Sequence, residues 1–357
     1  FQAEDGIRDS STSRGLGDVY KRQALDGGNP LSKVDFRDKL VKWQAPFAAE
    51  KEEVFKSEHR IQMAIWGESN GMLMVYQRER MRRWRHIWLL NVDKGTAKKW
   101  FDFSENDRYN DPGYPISTLL KNGKYAIKVD GESVYFRGQG GSIDGDRPFV
   151  DRRNFKTGEI ERIFRSDKGK YESFIGFAEQ PNAFIMSSES PTSVPNLYRA
   201  KLGKTIQVSD GEGSRLITKQ PITKNEDPCP ELRQIETKII RYKRNDGVEL
   251  SFQLLLPIGY KEGTKVPVVV YAYPLEYSDS KTAGQVRGSS NKFMRIYGPS
   301  HKYFLMRGYA VLDNTAMPMI GDPETVYDTF VPQLVACLLY TSPSPRDVEE
   351  SRMPSSA

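Results

Sequence analysis

The 357-residue chain is poor in the residues that build disulfide and metal sites. Its two cysteines exclude a disulfide scaffold and a cysteine-rich zinc site. Its three histidines, His59, His86 and His301, leave little room for a histidine-built metal centre. No apolar run approaches the ~18 consecutive residues of a membrane span. We therefore expect no metal cofactor and no membrane-spanning segment.

The chain also lacks a strong excess of charge of one sign. A net charge of +6, with 28% charged residues of both signs, is too mild to indicate a nucleic-acid partner. Aromatic residues reach 11%, and 29 glycines and 21 prolines accompany them. This balance favours a fold rich in strands and turns. The length corresponds to about two domains.

The two ends lack the patterns of folded segments. Residues 1–23 have neither helical nor strand periodicity, and residues 337–357 form a Ser/Pro-rich tail after a helical pattern. Both resemble adapter-derived read-through at the ends of reading frames from metagenomic assemblies, and genuine disordered termini are the alternative. We therefore expect the native segment to be a fragment covering about Ala24–Ala336.

The first half repeats a unit of four short strands. Three pairs of strand-like runs are joined by polar turns that end in Gly95, Gly158 and Gly203, and two further strand-like runs precede each pair. Units of four strands at spacings of ~40–50 residues are typical of propeller blades. We predict a partial β-propeller of about three blades over residues 24–225. A β-sandwich or an irregular all-β domain is the alternative.

The second half has a mixed pattern. Strand-like runs flank Asn245-Asp-Gly247, which predicts a tight hairpin. The apolar run Pro267–Tyr273 predicts a strand buried on both faces. A helix-compatible stretch over Ser300–Met306, a strand over Tyr309–Asp313 and a helix over Pro323–Ala336 follow. This order predicts the entry to a doubly wound α/β sheet over residues 226–336.

Motifs in this half resemble a known family. They read RYKRNDGVEL at residues 241–250, PVVVYAYP at 267–274, AGQVRGS at 283–289, PMIGD at 318–322 and VPQLVA at 331–336. They are similar to the prolyl oligopeptidase family of serine peptidases, and specifically to its glutamyl endopeptidase branch. The resemblance implies a propeller followed by the truncated start of an α/β-hydrolase domain. It also implies a peptide substrate, cleavage after Glu and no cofactor, and it favours a periplasmic or secreted location.

Acyl-transfer chemistry needs a nucleophile, a base, an acid and oxyanion donors. In α/β-hydrolases the serine lies at a G-x-S-x-G elbow. Gly140-Gly-Ser142 and Gly288-Ser-Ser290 lack the second glycine, and we expect neither a G-x-S-x-G pentapeptide nor an elbow in this chain. The family order of serine, acid and base would place the triad beyond Ala336, so we expect the fragment to be inactive. His301 precedes that region and is expected on a helix surface.

Two residues are candidates for the family's site. The resemblance places an oxyanion-donating tyrosine on the turn after the buried strand, which corresponds to Tyr273. Because the segment reads Pro274-Leu-Glu276 instead of Gly-Gly-Pro, the register between Tyr271 and Tyr273 is open. Arg287 is a candidate partner for an acidic substrate side chain. A core aromatic residue is the alternative for the tyrosine, and a structural salt bridge or an exposed charge is the alternative for Arg287.

Two other functions compete with the peptidase hypothesis. One is a β-propeller binding module without catalytic activity. The other is a nucleic-acid-binding β protein that uses the cluster from Arg78 to Arg85, although a solvated loop of one blade explains this cluster better. Cys229, between two prolines, is expected in a linker and not as a nucleophile.

Overall fold

The chain folds as two compact units. The computed structural model describes residues 8–14, 18–44, 47–68, 71–121, 123–179, 182–207 and 213–341. Unit 1 comprises residues 1–105, 112–137 and 151–161, and unit 2 comprises residues 106–111, 138–150 and 162–357. Residues 171–221 therefore fall in the same unit as the α/β half. The domain boundary between residues 225 and 226 stays a prediction.

The first sheet of unit 1 is a four-stranded antiparallel meander. Its strands are β1 (Arg8–Arg14), β2 (Asp18–Ala24), β3 (Asp38–Gln44) and β4 (Glu52–Ser57). The prediction that residues 1–23 lack strands is wrong for β1 and β2. Strand β2 pairs with β3 along its whole length, and backbone hydrogen bonds need no apolar periodicity.

The second sheet confirms the predicted four-strand unit around Gly95. Its strands are β5 (Arg60–Trp66), β6 (Met72–Glu79), β7 (Trp84–Asn91) and β8 (Thr96–Ser104). Successive side chains of β6 enter two different cores, because a strand alternates its faces. Leu73 and Val75 belong to one apolar cluster, whereas Met74 and Tyr76 belong to another. Blade-like sheets that pack face to face need this two-sided burial.

The third group of strands contains the predicted hairpin at Gly158, which has a φ of 79°. Its strands are β9 (Tyr114–Pro115), β10 (Ser117–Leu119), β11 (Tyr125–Ile127), β12 (Val129–Asp130), β13 (Ser133–Gly138), β14 (Phe149–Asn154) and β15 (Ile160–Arg165). Strands β12 to β15 pair in sequence order, β9 pairs with β13, and β10 pairs with β11.

The fourth sheet belongs to unit 2 and corrects the predicted hairpin at Gly203. Its strands are β16 (Tyr171–Phe177), β17 (Ala183–Ser190), β18 (Ser193–Gln207) and β19 (Gly213–Pro221). Gly203 lies inside β18 and not in a turn. The register of β18 against β19 shifts between Leu202 and Thr205, so the extra residue is taken up by a bulge.

The α/β half of unit 2 is built on a mixed sheet in the order β20-β21-β23-β22. Its strands are β20 (Thr237–Lys243), β21 (Glu249–Leu255), β22 (Val268–Tyr277) and β23 (Ala310–Ile320). The helices are α1 (Ser280–Ala283) and α2 (Phe330–Thr341), with 3-10 helices at Pro230–Gln234, His301–Arg307 and Val326–Thr329. The predicted hairpin around Gly247 is confirmed as β20–β21.

Strand β22 differs from its prediction as a strand buried on both faces. It pairs in parallel with β23 and is the last strand of the sheet in the described part of the chain. Val268 is 50% exposed and Tyr271 is 53% exposed. An edge strand has one neighbouring strand, so its side chains keep more contact with solvent.

Helix α2 extends past Ala336, where the sequence predicts the folded segment to end. Cys337 is fully buried and accepts a hydrogen bond at 3.1 Å from Nη1 of Arg244. Thr341 pairs with the Tyr242 hydroxyl at 2.6 Å. Residues 337–341 therefore pack on the β20–β21 hairpin, whereas residues 342–357 lie outside the described residues.

The described residues contain no helix whose length and apolar character would suit it to crossing a bilayer.

A buried ion-pair network in unit 1 joins β3 to the start of β5. Arg60 contacts Oδ1 of Asp38 and Oδ2 of Asp26 at 2.5 Å each, and both carboxylates are buried. Asp38 also accepts a hydrogen bond from the Ile61 backbone amide at 2.6 Å. Burial raises the pKa of Asp38, although the bond from Ile61 and the charge of Arg60 oppose this shift.

Removing Arg60 should therefore leave a buried carboxylate without its cation. We expect R60L to lower the free energy of unfolding of unit 1 by about 3–5 kcal/mol at pH 7. With the Arg60 cation gone, the pKa of Asp38 in the folded state should rise further above its unfolded value. Stability is then lost as pH rises, so the deficit should be smaller near pH ~4.

Urea unfolding of R60L at the two pH values measures this effect. The matched control is K156M, because the Lys156–Glu132 pair is solvent-exposed on both sides. Exposed pairs contribute about 0–1 kcal/mol, so K156M should stay close to the parent chain. Equal effects of the two substitutions would contradict the assignment of a buried network.

Candidate functional site on the parallel strand pair

The parallel pair β22–β23 places the candidate tyrosines on an exposed strand. Tyr273 lies in the second half of β22, opposite Ala316, and is 75% exposed. Tyr271 lies two residues earlier and is less exposed. Tyr273 is thus within the strand and not on a turn after it. In the described part of the chain its hydroxyl has no hydrogen-bond partner.

Tyr271 is held by His301, which lies at the start of a 3-10 helix, where its ring contacts the tyrosine. The two rings are stacked with centroids 3.8 Å apart and an angle of 11° between their planes. His301 begins a 3-10 helix, and its Nε2 lies 3.2 Å from Oδ1 of Asp313. Lys302 reaches the other carboxylate oxygen at 3.0 Å. The sequence spacing between 271, 301 and 313 contains no motif that predicts this contact.

A bulge in β23 directs Asp313 toward His301. The register between β22 and β23 shifts between Val270 and Ala272, where β23 carries one extra residue. Asn314 adopts a φ of 50°, a conformation that asparagine tolerates better than most residues. Its side-chain amide donates to Oε1 of Gln253 on β21 at 3.0 Å, which holds the bulge in place. Bulges of this kind re-aim side chains near sites.

Arg287 lies in the predicted Gly-Gln-Val-Arg-Gly segment, residues 284–288, and is already partnered. Its Nη2 donates to the Tyr277 hydroxyl at 2.8 Å. Gly284 passes so close to β21 that a Cβ there would lie 2.0 Å from the Glu249 carbonyl oxygen. Gly284 therefore serves close backbone packing.

The same segment is bound by residues 106–111 of unit 2. The side chain of Gln285 accepts from the Arg108 amide at 2.7 Å and donates to Asp107 at 2.9 Å. The Val286 amide donates to the Tyr109 hydroxyl at 2.9 Å. Burial raises the pKa of Asp107, but hydrogen bonds from Asn110 and Gln285 outweigh burial and lower it. Three polar contacts thus hold the two residues that precede Arg287.

Other features lie away from this strand pair. A cavity of about 410 Å³ in unit 2 is lined by residues that include Cys229, Arg233 and Phe293, and by neither candidate tyrosine. Cys229 is exposed and precedes a 3-10 helix, in line with a linker position. The arginine cluster forms the turn between β6 and β7, where Arg78 pairs with Glu105 at 2.5 Å.

The expectation that no G-x-S-x-G pentapeptide occurs is wrong. Gly67-Glu-Ser-Asn-Gly71 matches the pattern. Ser69 and Asn70 lie outside the described residues, but the flanking residues belong to the hairpin between β5 and β6, where the Gly67 amide donates to the Met72 carbonyl. A nucleophile elbow joins a strand to a helix, so this strand-to-strand turn does not match its context.

Sequence comparison identifies relatives over most of the chain. It is 32% identical over 368 residues to a probable chloroplastic glutamyl endopeptidase of Oryza sativa, covering 93% of this chain and 38% of the relative. The corresponding Arabidopsis thaliana protein is 32% identical over 339 residues, covering 88% of this chain and 34% of the relative. The chain is a relative of the glutamyl endopeptidases. The predicted resemblance is confirmed, although the chain spans less than two fifths of these relatives.

Structural comparison finds more distant similarities. A puromycin hydrolase has 12% identity and a TM-score of 0.49, covering 92% of this chain and 46% of its own. Dipeptidyl peptidase 4 of Porphyromonas gingivalis has 9% identity and a TM-score of 0.40, covering 84% and 48%. No protein-family model matches the chain. Because both TM-scores are below 0.5, the similarity to glutamyl endopeptidases rests on the two sequence relatives alone.

The Tyr271–His301 stack gives a test of the site's local structure. We expect H301A to remove the stack and the contact with Asp313, and so to lower the local opening free energy of β22 and β23 by about 1–2 kcal/mol. Hydrogen exchange of the amides in these strands measures the change. Y271F retains the ring and should match the parent chain, whereas Y271A should resemble H301A. Unchanged protection in H301A would contradict a positioning role for His301.

Proposed function

We propose that the chain is part of a serine peptidase of the prolyl oligopeptidase family that hydrolyses peptide bonds through an acyl-enzyme. The observation that carries this proposal is the similarity to glutamyl endopeptidases over 93% of the chain. In this proposal residues 24–225 contribute propeller blades and residues 226–336 begin the α/β-hydrolase domain. The activity belongs to the longer protein.

The mixed sheet of unit 2 supports the hydrolase part of the proposal. An antiparallel hairpin leads into the parallel pair β22–β23, and apolar clusters lie on both faces of the sheet. Leu255 and Val311 belong to one cluster, and Leu250 and Tyr277 belong to the other. Sheets covered on both faces are typical of α/β domains, whose sites lie near the carboxyl ends of parallel strands.

Tyr273 is the proposed oxyanion donor. Attack of a serine hydroxyl on a peptide carbonyl places negative charge on the carbonyl oxygen, and a phenol hydroxyl can donate a hydrogen bond to it without losing its proton. Tyr273 has an exposed hydroxyl on the parallel strand, whereas the ring of Tyr271 is held against His301. We therefore favour Tyr273 over Tyr271.

Arg287 is the proposed determinant of specificity for Glu. Its guanidinium is anchored by the Tyr277 hydroxyl through one nitrogen, and its backbone segment is fixed by residues 107–109. A guanidinium can hold a carboxylate through two parallel hydrogen bonds. An anchored Arg287 would bind an acidic substrate side chain with less loss of conformational freedom than a free arginine would.

The 357-residue chain is proposed to be inactive by itself. The α/β half, residues 226–357, contains no G-x-S-x-G sequence, and the match at residues 67–71 is flanked by the paired strands β5 and β6. We expect no hydrolysis of Glu-containing peptides and no labelling by a serine-reactive fluorophosphonate probe. An S69A variant is the control. Labelling that this variant abolishes would overturn the proposed inactivity and would assign the nucleophile to the hairpin.

Activity is expected in a chain extended by its downstream coding sequence. In that chain Y273F should lower kcat by ~10²–10³-fold with little change in KM, because the lost donor acts mainly in the transition state. Y271F is the matched control and should retain activity. The reverse order of effects would assign the oxyanion role to Tyr271. An extended chain that binds peptides without cleaving them would instead support a propeller binding module.

Specificity is tested by R287Q in the same extended chain. We expect R287Q to lower kcat/KM for cleavage after Glu by ~10–100-fold, as loss of a charged hydrogen bond predicts, and to leave cleavage after Gln nearly unchanged. R241Q, on β20, is the charge-matched control. Equal losses for both substrates would show that Arg287 has a structural role and no role in selecting Glu.

A further inference from the structure

Unit 1 brings three potential metal ligands together at one end of its second sheet. His59 immediately precedes β5, Glu79 ends β6 and His86 lies in β7. One ligand atom from each residue lies within 4.8 Å of the others. None of these residues takes part in the proposed peptidase site, which lies in unit 2.

The distances between the ligand atoms approach those of a zinc site. Zinc bonds of about 2.0–2.2 Å in tetrahedral geometry place neighbouring ligand atoms ~3.3 Å apart. Nε2 of His86 lies 3.3 Å from Oε2 of Glu79, and Nε2 of His59 lies 3.9 Å from the same oxygen. His59 therefore has to move closer to the other two ligand atoms, which lie within 4.8 Å of its own.

The orientation of the two histidine rings shows which movement metal binding requires. The rings of His59 and His86 are stacked at 4.7 Å with 11° between their planes. Imidazole lone pairs lie in the ring plane, so the rings must tilt for both to point at one ion. The His59 side chain is 27% exposed and is free to tilt, whereas that of His86 is 5% exposed and fixed by its surroundings.

A second carboxylate lies beside Nδ1 of His86, the ring nitrogen that does not face Glu79. Asp102 on β8 lies directly opposite His86 in the register, and its Oδ1 is 3.4 Å from Nδ1 of His86. That Nδ1 is buried and has no hydrogen-bond partner among the described residues. Metal-binding histidines typically donate their second ring N–H to a carboxylate. A metal on Nε2 would place the proton on Nδ1, where Asp102 can accept it.

The Arg82 cation that pairs with Glu79 does not exclude a metal ion. Glu79 also pairs with Nη1 of Arg82 at 3.2 Å, but the Arg82 side chain is 59% exposed and lies over the Trp84 ring. An exposed arginine is displaced easily, because such pairs contribute little stability. Asp102 is fixed independently of the ion by hydrogen bonds from Lys99 and the Trp84 indole.

We propose that His59, Glu79 and His86 form a binding site for one Zn²⁺ ion, with Asp102 as the acceptor behind His86. Two imidazoles and a carboxylate form a known zinc donor set that leaves a fourth position for water. Imidazole ligands favour zinc and its transition-metal neighbours over Mg²⁺ and Ca²⁺. The chain has only three histidines, which makes a site built from histidine alone unfavourable, but a site with two histidines and one glutamate needs no more. The ion would cross-link the three strands at this end of the sheet.

Zinc titration of the full chain, prepared without an affinity tag, tests this site. We expect one equivalent of zinc with micromolar or tighter affinity, and a higher thermal transition for unit 1 when zinc is present. H59Q should weaken binding by at least ~100-fold, and D102N by ~10–100-fold, the range measured for lost supporting carboxylates. Cobalt substitution should give the visible absorption of a tetrahedral site.

Two controls separate this site from other ligands in the chain. H301Q removes the third histidine and C229S removes the exposed thiol, and both should bind zinc as the parent chain does. His59 is partly exposed, so H59Q should fold, and an unchanged circular dichroism spectrum checks this. The proposal is overturned if the parent chain binds no zinc at micromolar concentration, or if H59Q binds as tightly as the parent.

Discussion

The burial of β6 on both faces is the constraint on which the rest of unit 1 depends. Successive side chains of β6 alternate between two apolar cores, so the strand must have packed layers on both sides. A sheet that is covered on one face can keep polar residues on the other, but β6 cannot. The sheets before and after it in the chain supply the covering residues, Leu40 for one core and Phe136 for the other. Repeated four-stranded meanders meet this requirement with short local connections.

Close backbone packing has the corresponding role around the candidate site of unit 2. Gly284 passes the β21 backbone at a distance that excludes a side chain, and Gly288 has a φ of 78°. Arg287, just before Gly288, donates to the Tyr277 hydroxyl. The bulge at Asn314 lies next to Gly288 and places Asp313 within reach of His301. Backbone geometry and side-chain contacts together therefore position the groups around β22.

The sequence predicted features that depend on local patterns and missed those that depend on tertiary contacts. The hairpin at Gly247 and the strand unit around Gly95 follow from turn chemistry and alternation, and both are confirmed. Gly203 carries the same turn-like composition, yet a bulge accommodates it within β18. The contacts of His301 with Asp313 and of His59 with His86 join residues from different parts of the fold, a 3-10 helix with β23 and a bend with β7. No spacing rule encodes such pairs, because tertiary packing decides them.

The pentapeptide at residues 67–71 shows how far a catalytic motif depends on its surroundings. Gly71 has a φ of 63°, and a Cβ there would lie 2.3 Å from the Asp93 carboxylate. A Cβ on Gly67 would likewise press on the Met72 side chain at 2.5 Å. The hairpin thus accounts for both glycines without any catalytic role. In a nucleophile elbow the same two positions are small because a helix follows the strand at a sharp angle. Since β6 follows here instead, the proposed peptidase chemistry requires a serine other than Ser69.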